Sequence, residues 1–325
     1  MNRSLFLAVV TALTAAACGG SSDGGGITAP VNPDPNLSID ASNAQNAVRV
    51  SYLAAVASGD TAGLVGNSGL VADSGSGEVF KTTRANGFAK PVSTAVSSIP
   101  FGPDVLPCDV SGSITVSGDL ANPLSLTAGD IINIDADNCD DGLGEVVDGL
   151  IAMTIDAFSG DVLSGLYDLT STLDIDNFQV TTAEEVLMSS GDSTVRLNTL
   201  NTPAVSASVS GSSLTADSNT ASETLTNYSS AQTLDAGLTP APYTMDSSGT
   251  LDSSQLAGIV DYSTEIMFQG FDNDYPGIGE LLVTGGTSSA RLIALDNVNV
   301  RIEIDNNDDG TIDDVVDTTW DALVN

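Results

Sequence analysis

The chain of 325 residues contains no histidine, few basic residues and few aromatic residues. Without histidine, histidine-dependent catalytic triads and histidine-ligated zinc or iron sites are excluded, so we expect neither zinc nor haem. Lys and Arg total 8 against 43 Asp and Glu, which gives a formal net charge of -35. Nucleic acid and anionic lipid surfaces repel such a chain, and we expect no nucleic-acid partner and no bound nucleotide.

The composition that remains is sufficient for a folded core. Hydrophobic residues make up 41% of the chain and charged residues only 16%, so the chain is not disordered throughout. The charges are unevenly placed: between Lys90 and Arg196 there is no basic residue, but there are 18 Asp and Glu. Two interpretations stay open, namely a solvated acidic surface that keeps an exported protein soluble, or carboxylates that bind divalent cations.

Residues 1–17 have the pattern of a signal peptide. Asn2-Arg3 supplies a short positive start, and the apolar segment that follows is too short to span a bilayer. Ala15-Ala16-Ala17-Cys18-Gly19-Gly20 resembles the lipobox of bacterial lipoproteins, in which the cysteine is lipidated and becomes the new N-terminus. The resemblance implies lipidation of Cys18. Secretion without a lipid, after cleavage behind Ala17, is the alternative.

The same resemblance implies a location in the cell envelope. Lipoproteins retained at the inner membrane carry Asp after the cysteine, whereas this chain has Gly19. We therefore expect an outer-membrane lipoprotein that faces the periplasm or the cell surface. The lipid anchor would be its contact with the membrane, because each buried methylene contributes ~0.8 kcal/mol. Residues 18–38 are rich in Gly, Ser, Pro and Asn, which is typical of a flexible tether. No motif indicates a protein or small-ligand partner.

The periodicity of apolar residues changes along the mature chain. Residues 39–107 are predicted to form a helical and mixed N-terminal segment, with a helix ending near Ala57 and a short second helix near 61–71. From 108 to 325 apolar and polar residues alternate with period two, which predicts an antiparallel β domain with one solvated face. Turns between strands are expected at Ser-Gly-Asp and Ser-Ser-Gly clusters: 117–119, 159–161, 190–192 and 247–249. The predicted fold is mainly β, a sandwich or half-barrel with one or two N-terminal helices.

Two cysteines remain after Cys18. Cys108 and Cys139 are an even pair in an oxidising compartment, and a disulfide closing their ~31-residue loop would contribute about 3–4 kcal/mol. A metal site without histidine and a C-x-x-C redox motif are the weaker alternatives. Residues 108–155, including Asn138-Cys139-Asp140-Asp141-Gly142, resemble a layout found in poorly characterised β-rich bacterial envelope lipoproteins. That resemblance implies no activity.

Residues 305–313, Asp-Asn-Asn-Asp-Asp-Gly-Thr-Ile-Asp, resemble the EF-hand calcium loop D-x-[DN]-x-[DN]-G. Its oxygen ligands, in chain order, are Asp305, Asn307, Asp309, the carbonyl of Thr311, and Asp313. The twelfth position, Glu in that family, is Val316, and the preceding segment has the pattern of a strand. Two interpretations remain: a calcium loop of weak affinity, ~10⁻⁴–10⁻³ M, on a β scaffold, or an Asp-Gly hairpin turn.

No motif selects catalytic residues, so the expected function is non-catalytic. We predict a lipid-anchored cell-envelope protein with a binding or structural role, stabilised by calcium if the C-terminal loop binds it. The first alternative is a carrier of lipid or another hydrophobic ligand, with a half-barrel cavity lined by residues such as Ile151, Ile155, Leu173 and Phe268. The second is a carboxylate glycosidase, which requires two acids ~5–9.5 Å apart in a cleft.

Overall fold

The computed structural model describes residues 36–66, 103–121, 125–140, 142, 144–161, 164–183, 186–219, 221–272 and 274–324, the side chains of 59–66 excepted. The predicted signal peptide, Cys18, and the tether up to residue 35 lie outside these residues. The helices and strands, in chain order, are α1 (Ala44–Gly66), β1 (Asp104–Pro107), β2 (Ser111–Asp119), β3 (Ile131–Asp140), β4 (Glu145–Asp161), β5 (Leu166–Thr182), β6 (Val186–Asn198), β7 (Ala204–Ser218), β8 (Ser222–Asp235), β9 (Pro242–Ser253), β10 (Val260–Phe271), β11 (Ile278–Gly285), β12 (Ser288–Ala294), β13 (Asn299–Asp305), β14 (Asp314–Thr319) and α2 (Trp320–Val324).

Within the described residues, the strands form one antiparallel sheet of 14 strands in which each strand pairs with the next along the chain. The prediction of a mainly β, antiparallel fold with an N-terminal helix is therefore confirmed. The arrangement is a single open sheet, which matches the half-barrel alternative rather than two packed sheets. Sequential pairing needs only short connections, because antiparallel neighbours are joined by hairpins.

One continuous helix covers the first predicted helix and the start of the second, whose residues 67–71 lie outside the described part of the chain. The helix was expected to end before Ser58-Gly59-Asp60, but α1 continues to Gly66. Ser58 is buried, and its hydroxyl donates to the carbonyl of Ala55 at 2.9 Å, so it lies inside the helix instead of ending it. Tertiary packing has overridden the local preference of a Ser-Gly-Asp sequence.

The sheet curves around α1, which lies against strands β6 to β13. Arg49 reaches Gln255, just after β9, at 3.4 Å. Tyr52, on the same helical turn, packs against Trp320, just after β14, with ring centroids 4.8 Å apart. In a flat sheet the five strand spacings between β9 and β14 would span ~24 Å, whereas a helix with its side chains is only ~10–12 Å across. The sheet must therefore bend to bring both strands to the helix.

Bulges supply part of this curvature. Asn138 in β3, Asn177 in β5 and Asn227 in β8 have positive φ angles of 45–48°, each at a shift of the pairing register. Gly149 of β4 lies beside one of them: a Cβ there would stand 2.5 Å from the carbonyl oxygen of Asn177. Asn is the non-glycine residue that best tolerates a positive φ, and bulges bend and twist the strands that carry them.

Two of the predicted turns are strand interiors. The cluster at 190–192 lies within β6 and that at 247–249 within β9. Gly191 has φ 146°, and a Cβ at this position would stand 2.2 Å from the carbonyl oxygen of Ser213. These glycines allow close backbone approach and aromatic packing, so the Ser-Gly signal for a turn is wrong here. Among the described glycines of the sheet, Gly211 lies against the ring of Tyr228, Gly270 against Tyr243 and Gly279 against Phe268. A Cβ at Gly249 would stand 3.0 Å from the hydroxyl of Tyr262.

A cluster of aromatic side chains joins α1 to β10, to the connection between β10 and β11, and to α2. Trp320 is fully buried and stacks on Tyr275 with ring centroids 5.6 Å apart. Phe268 contacts Tyr52 edge-on at 5.5 Å and lies 6.3 Å from Trp320. The Trp320 indole N–H also lies 3.2 Å from the carbonyl oxygens of Pro276 and Asp296. The indole thus holds the connections at one end of β11 and β13 together.

Candidate functional site

The predicted calcium loop connects β13 to β14 as a compact turn. Asp305, at the end of β13, is only 5% exposed. Its Oδ2 accepts the N–H of Gly310 at 2.8 Å, and its Oδ1 accepts the N–H groups of Asn307 and Asp309, both at 3.3 Å. Gly310 has φ 81°, a conformation that glycine adopts without strain. The first carboxylate therefore organises the loop by collecting its backbone donors.

The same contacts set the charge state of Asp305. Burial acts to raise the pKa of this carboxyl, but the N–H groups of Gly310, Asn307, Asp309 and Asp308 outweigh it and hold the pKa below its ordinary value. Asp305 is therefore a carboxylate over the whole neutral range. A permanently ionised carboxylate at the head of a loop is a requirement for calcium binding.

The other predicted ligands also contact backbone donors. The side-chain oxygen of Asn307 accepts the N–H of Asp309 at 3.1 Å, and Asp309 accepts that of Thr311 at 2.8 Å. Asp313 accepts the N–H of Asn306 at 2.9 Å. Within the part of the chain that the structure describes, no three Asp, Glu or Cys side chains gather closely enough to hold a metal ion. Calcium binding in this loop therefore requires its side chains to turn toward a common point.

The predicted disulfide between Cys108 and Cys139 is present. It joins the connection between β1 and β2 to the end of β3, with the two Cα atoms 5.5 Å apart. Cys139 is buried, and Cys108 is partly buried against the hydrophobic core. The prediction is confirmed. The bond attaches the first hairpin of the sheet covalently to its neighbour.

A buried polar cluster between α1 and the sheet was not identified from the sequence. Glu223 of β8 is 2% exposed, and its Oε1 accepts the hydroxyl of Ser253 at 2.9 Å and the amide of Gln255 at 3.4 Å. Arg49 of α1 donates to the side-chain oxygens of Asn46 at 2.9 Å and Gln255 at 3.4 Å. The signal that could have revealed it is one arginine within an Ala- and Val-rich helix.

Burial governs the electrostatics of this cluster. Loss of water raises the pKa of Glu223 to about 7, although the Ser253 hydrogen bond and the Arg49 charge act to lower it. Burial likewise lowers the pKa of Arg49, which the Glu223 charge partly offsets. Each charge therefore reduces the desolvation cost of the other.

Two exposed arginines of the sheet pair with acids on adjacent strands. Arg196 binds Asp168 with Nη2 2.7 Å from Oδ2, and Arg301 binds Asp317 with Nε 2.8 Å from Oδ1. These pairs are exposed and contribute little to stability. The segment between Lys90 and Arg196 has 18 Asp and Glu and no basic residue of its own.

None of the described helices is long and apolar enough to cross a bilayer. Comparison of the chain with protein-family models, with curated proteins and with solved structures found no match.

Proposed function

We propose that this chain is a non-catalytic, lipid-anchored protein of the outer cell envelope whose β domain has a structural or binding role. Two features of the sequence support the anchor, namely the lipobox-like segment ending at Cys18 and the Gly- and Ser-rich tether that follows it. Because the chain is strongly negative, an anionic membrane surface repels the folded domain, while the lipid anchor keeps it attached to the membrane.

The observation that favours a scaffold over a carrier is that the residues expected to line a ligand cavity pack in the hydrophobic core or, in the case of Ile151, lie partly buried against it. Of the four residues expected to line a ligand cavity, Ile155, Leu173 and Phe268 are 0%, 5% and 0% exposed and belong to the hydrophobic core. Phe268 packs directly on Tyr52 of α1. Side chains that are close-packed in the core stabilise the domain, and we do not expect them to line a ligand cavity.

The glycosidase alternative receives less support from the geometry. A glycosidase needs two carboxyl groups that face each other across a cleft. Glu223 is buried with a raised pKa, but its polar neighbours among the described residues are Ser253, Gln255 and Arg49, and none of them is a second acid. Its environment is that of a helix–sheet junction.

The anchor is tested by replacing Cys18 with Ala in the full chain expressed in a bacterial host. We expect the original chain to partition into the detergent phase and to yield an acylated N-terminal peptide by mass spectrometry. The C18A chain should be released in soluble form, because Ala15-x-Ala17 still permits ordinary cleavage. Ser22→Ala in the tether is the control and should leave partitioning unchanged. An unmodified Cys18 in the original chain would contradict the proposal.

The calcium loop is tested by thermal unfolding in EDTA and in about 10 mM calcium. For a dissociation constant of ~10⁻⁴–10⁻³ M, binding adds about 1.4–2.7 kcal/mol. That corresponds to a rise of about 3–10 °C in Tm for a domain of this size. Magnesium at equal concentration controls for screening of the acidic surface, which any divalent cation produces.

Two variants separate the loop from the surface charge. Asp305→Asn should abolish the calcium-specific rise. Asp308→Asn removes the same charge from the same loop but should keep the rise, because Asp308 is not a predicted ligand and Asn tolerates its φ of 54°. Equal shifts in calcium and magnesium, or an unchanged shift in D305N, would identify the loop as a hairpin turn only.

A further inference from the structure

Glu223 occupies an unusual position for an acidic residue. Its side chain points from β8 toward α1 and is 98% buried, since only 2% of its surface is exposed. One oxygen, Oε1, accepts two hydrogen bonds, whereas the buried Oε2 has no hydrogen-bond partner among the residues that the structure describes. An ionised carboxylate with a buried, unpaired oxygen is costly, and a proton on that oxygen removes the cost.

The residues around Glu223 join three elements of the fold. Asn46 of α1 donates to the carbonyl oxygen of Gln255 at 3.1 Å, and Arg49 donates to its side chain. Gln255 in turn donates to Glu223, and Ser253 at the end of β9 donates to the same oxygen. The cluster therefore connects the first turns of α1 to β8 and to the connection between β9 and β10.

We propose that proton uptake by Glu223 seats the first turns of α1 against β8 and the β9–β10 connection. With the proton bound, the buried acid is neutral and its junction with α1 is stable. When pH rises, the carboxylate forms at a site with a single basic neighbour, Arg49, among the described residues. Opening the junction then hydrates the new charge, so opening becomes more frequent. The proposal is independent of the lipid anchor and of calcium.

The direction of the effect follows from the pKa of Glu223, which lies at about 7 in the folded chain against an ordinary value of 4.5. The folded state therefore binds more protons than the open state between these two values. The stability of the junction is complete below pH ~4.5, is lost progressively as pH rises to ~7, and stays at its lower level above that. Arg49 is charged over this range and lowers the pKa of Glu223 rather than producing the transition.

Amide hydrogen exchange of the full chain, corrected for the intrinsic rate at each pH, tests the proposal. Between pH 5 and pH 8.5 the opening constant of amides 46–55 should rise roughly 10–100-fold, since each unit of pKa shift is a factor of ten. Glu223→Gln keeps the shape and the Oε1 acceptor, and this rise should disappear. Glu265→Gln, an exposed change of equal charge, should keep it.

Two further results complete the test. Arg49→Gln removes the charge that lowers the pKa of Glu223, so the transition in the opening constant should move to higher pH. This variant keeps the proposal falsifiable if E223Q does not fold. An equal rise in exchange across β11 to β13 would show that pH acts on the whole fold, which would overturn the assignment to α1. No rise in the original chain would overturn it as well.

Discussion

Replacing Trp320 with Ala should lower the free energy of unfolding by about 3–5 kcal/mol, the usual range for removing a buried indole. The side chain is 0% exposed and contacts Tyr52, Tyr275 and Phe268. The substitution removes these contacts and leaves the carbonyl oxygens of Pro276 and Asp296 without their shared donor. Chemical denaturation followed by far-ultraviolet circular dichroism measures the effect, because the variant lacks the only tryptophan.

Two comparisons make this measurement specific. Trp320→Phe keeps a ring in the aromatic cluster but loses the N–H donor, so its destabilisation should lie between that of W320A and zero. Leu238→Ala is an exposed control, with the leucine 56% exposed, and should change stability by less than ~0.5 kcal/mol. A loss below about 1 kcal/mol in W320A would show that α1 and the ends of β11 and β13 are held by other contacts.

Removing the disulfide should have the second large effect. Cys108→Ser combined with Cys139→Ser frees a chain segment with a sequence separation of 31 residues. In the chain-entropy description the loss for a loop of this length is about 3.5–4 kcal/mol. Reversible denaturation of the variant against the oxidised chain measures it. The oxidised chain treated with a reductant should show the same loss as the double variant.

The controls for the disulfide also locate its effect. The single variants C108S and C139S should be no more stable than the double variant, because each leaves an unpaired thiol at the site. Hydrogen exchange should increase first in β1 to β3, which the bond joins, while β11 to β13 keep their protection. A double variant as stable as the oxidised chain would mean that the hairpin is held by its ladder and core contacts alone.

The sequence was sufficient to predict the fold class and the covalent pairing. Strict alternation in segments such as Val298–Ile304 predicts strands with one buried face, and Val300, Ile302 and Ile304 are fully buried. This works because the period of a strand is two residues, so the buried face can be identified without knowing what covers it. The apolar alternation is weaker in β8 and β9, where Ser and Thr occupy many of the positions.

Of the two candidate sites, the C-terminal loop is visible in the sequence and the cluster around Glu223 is not. The loop from Asp305 to Asp313 is local, and its turn-forming residues lie within nine positions, so motif matching finds it. Glu223 and Arg49 are 174 positions apart in the numbering of the chain. No local pattern relates two residues at such a separation, and their mutual effect on pKa depends on burial that only the packed helix creates.

The amino-acid sequence by itself determined the mainly β class, the position of the N-terminal helix, and the Cys108–Cys139 pair. Each follows from periodicity or from counting residues. The tertiary structure decided that one continuous sheet bends around α1, that Gly191 and Gly249 lie inside strands, and that Glu223 faces α1. These depend on which strands meet and what covers their inner face, and the contacts that decide them join residues far apart in the chain.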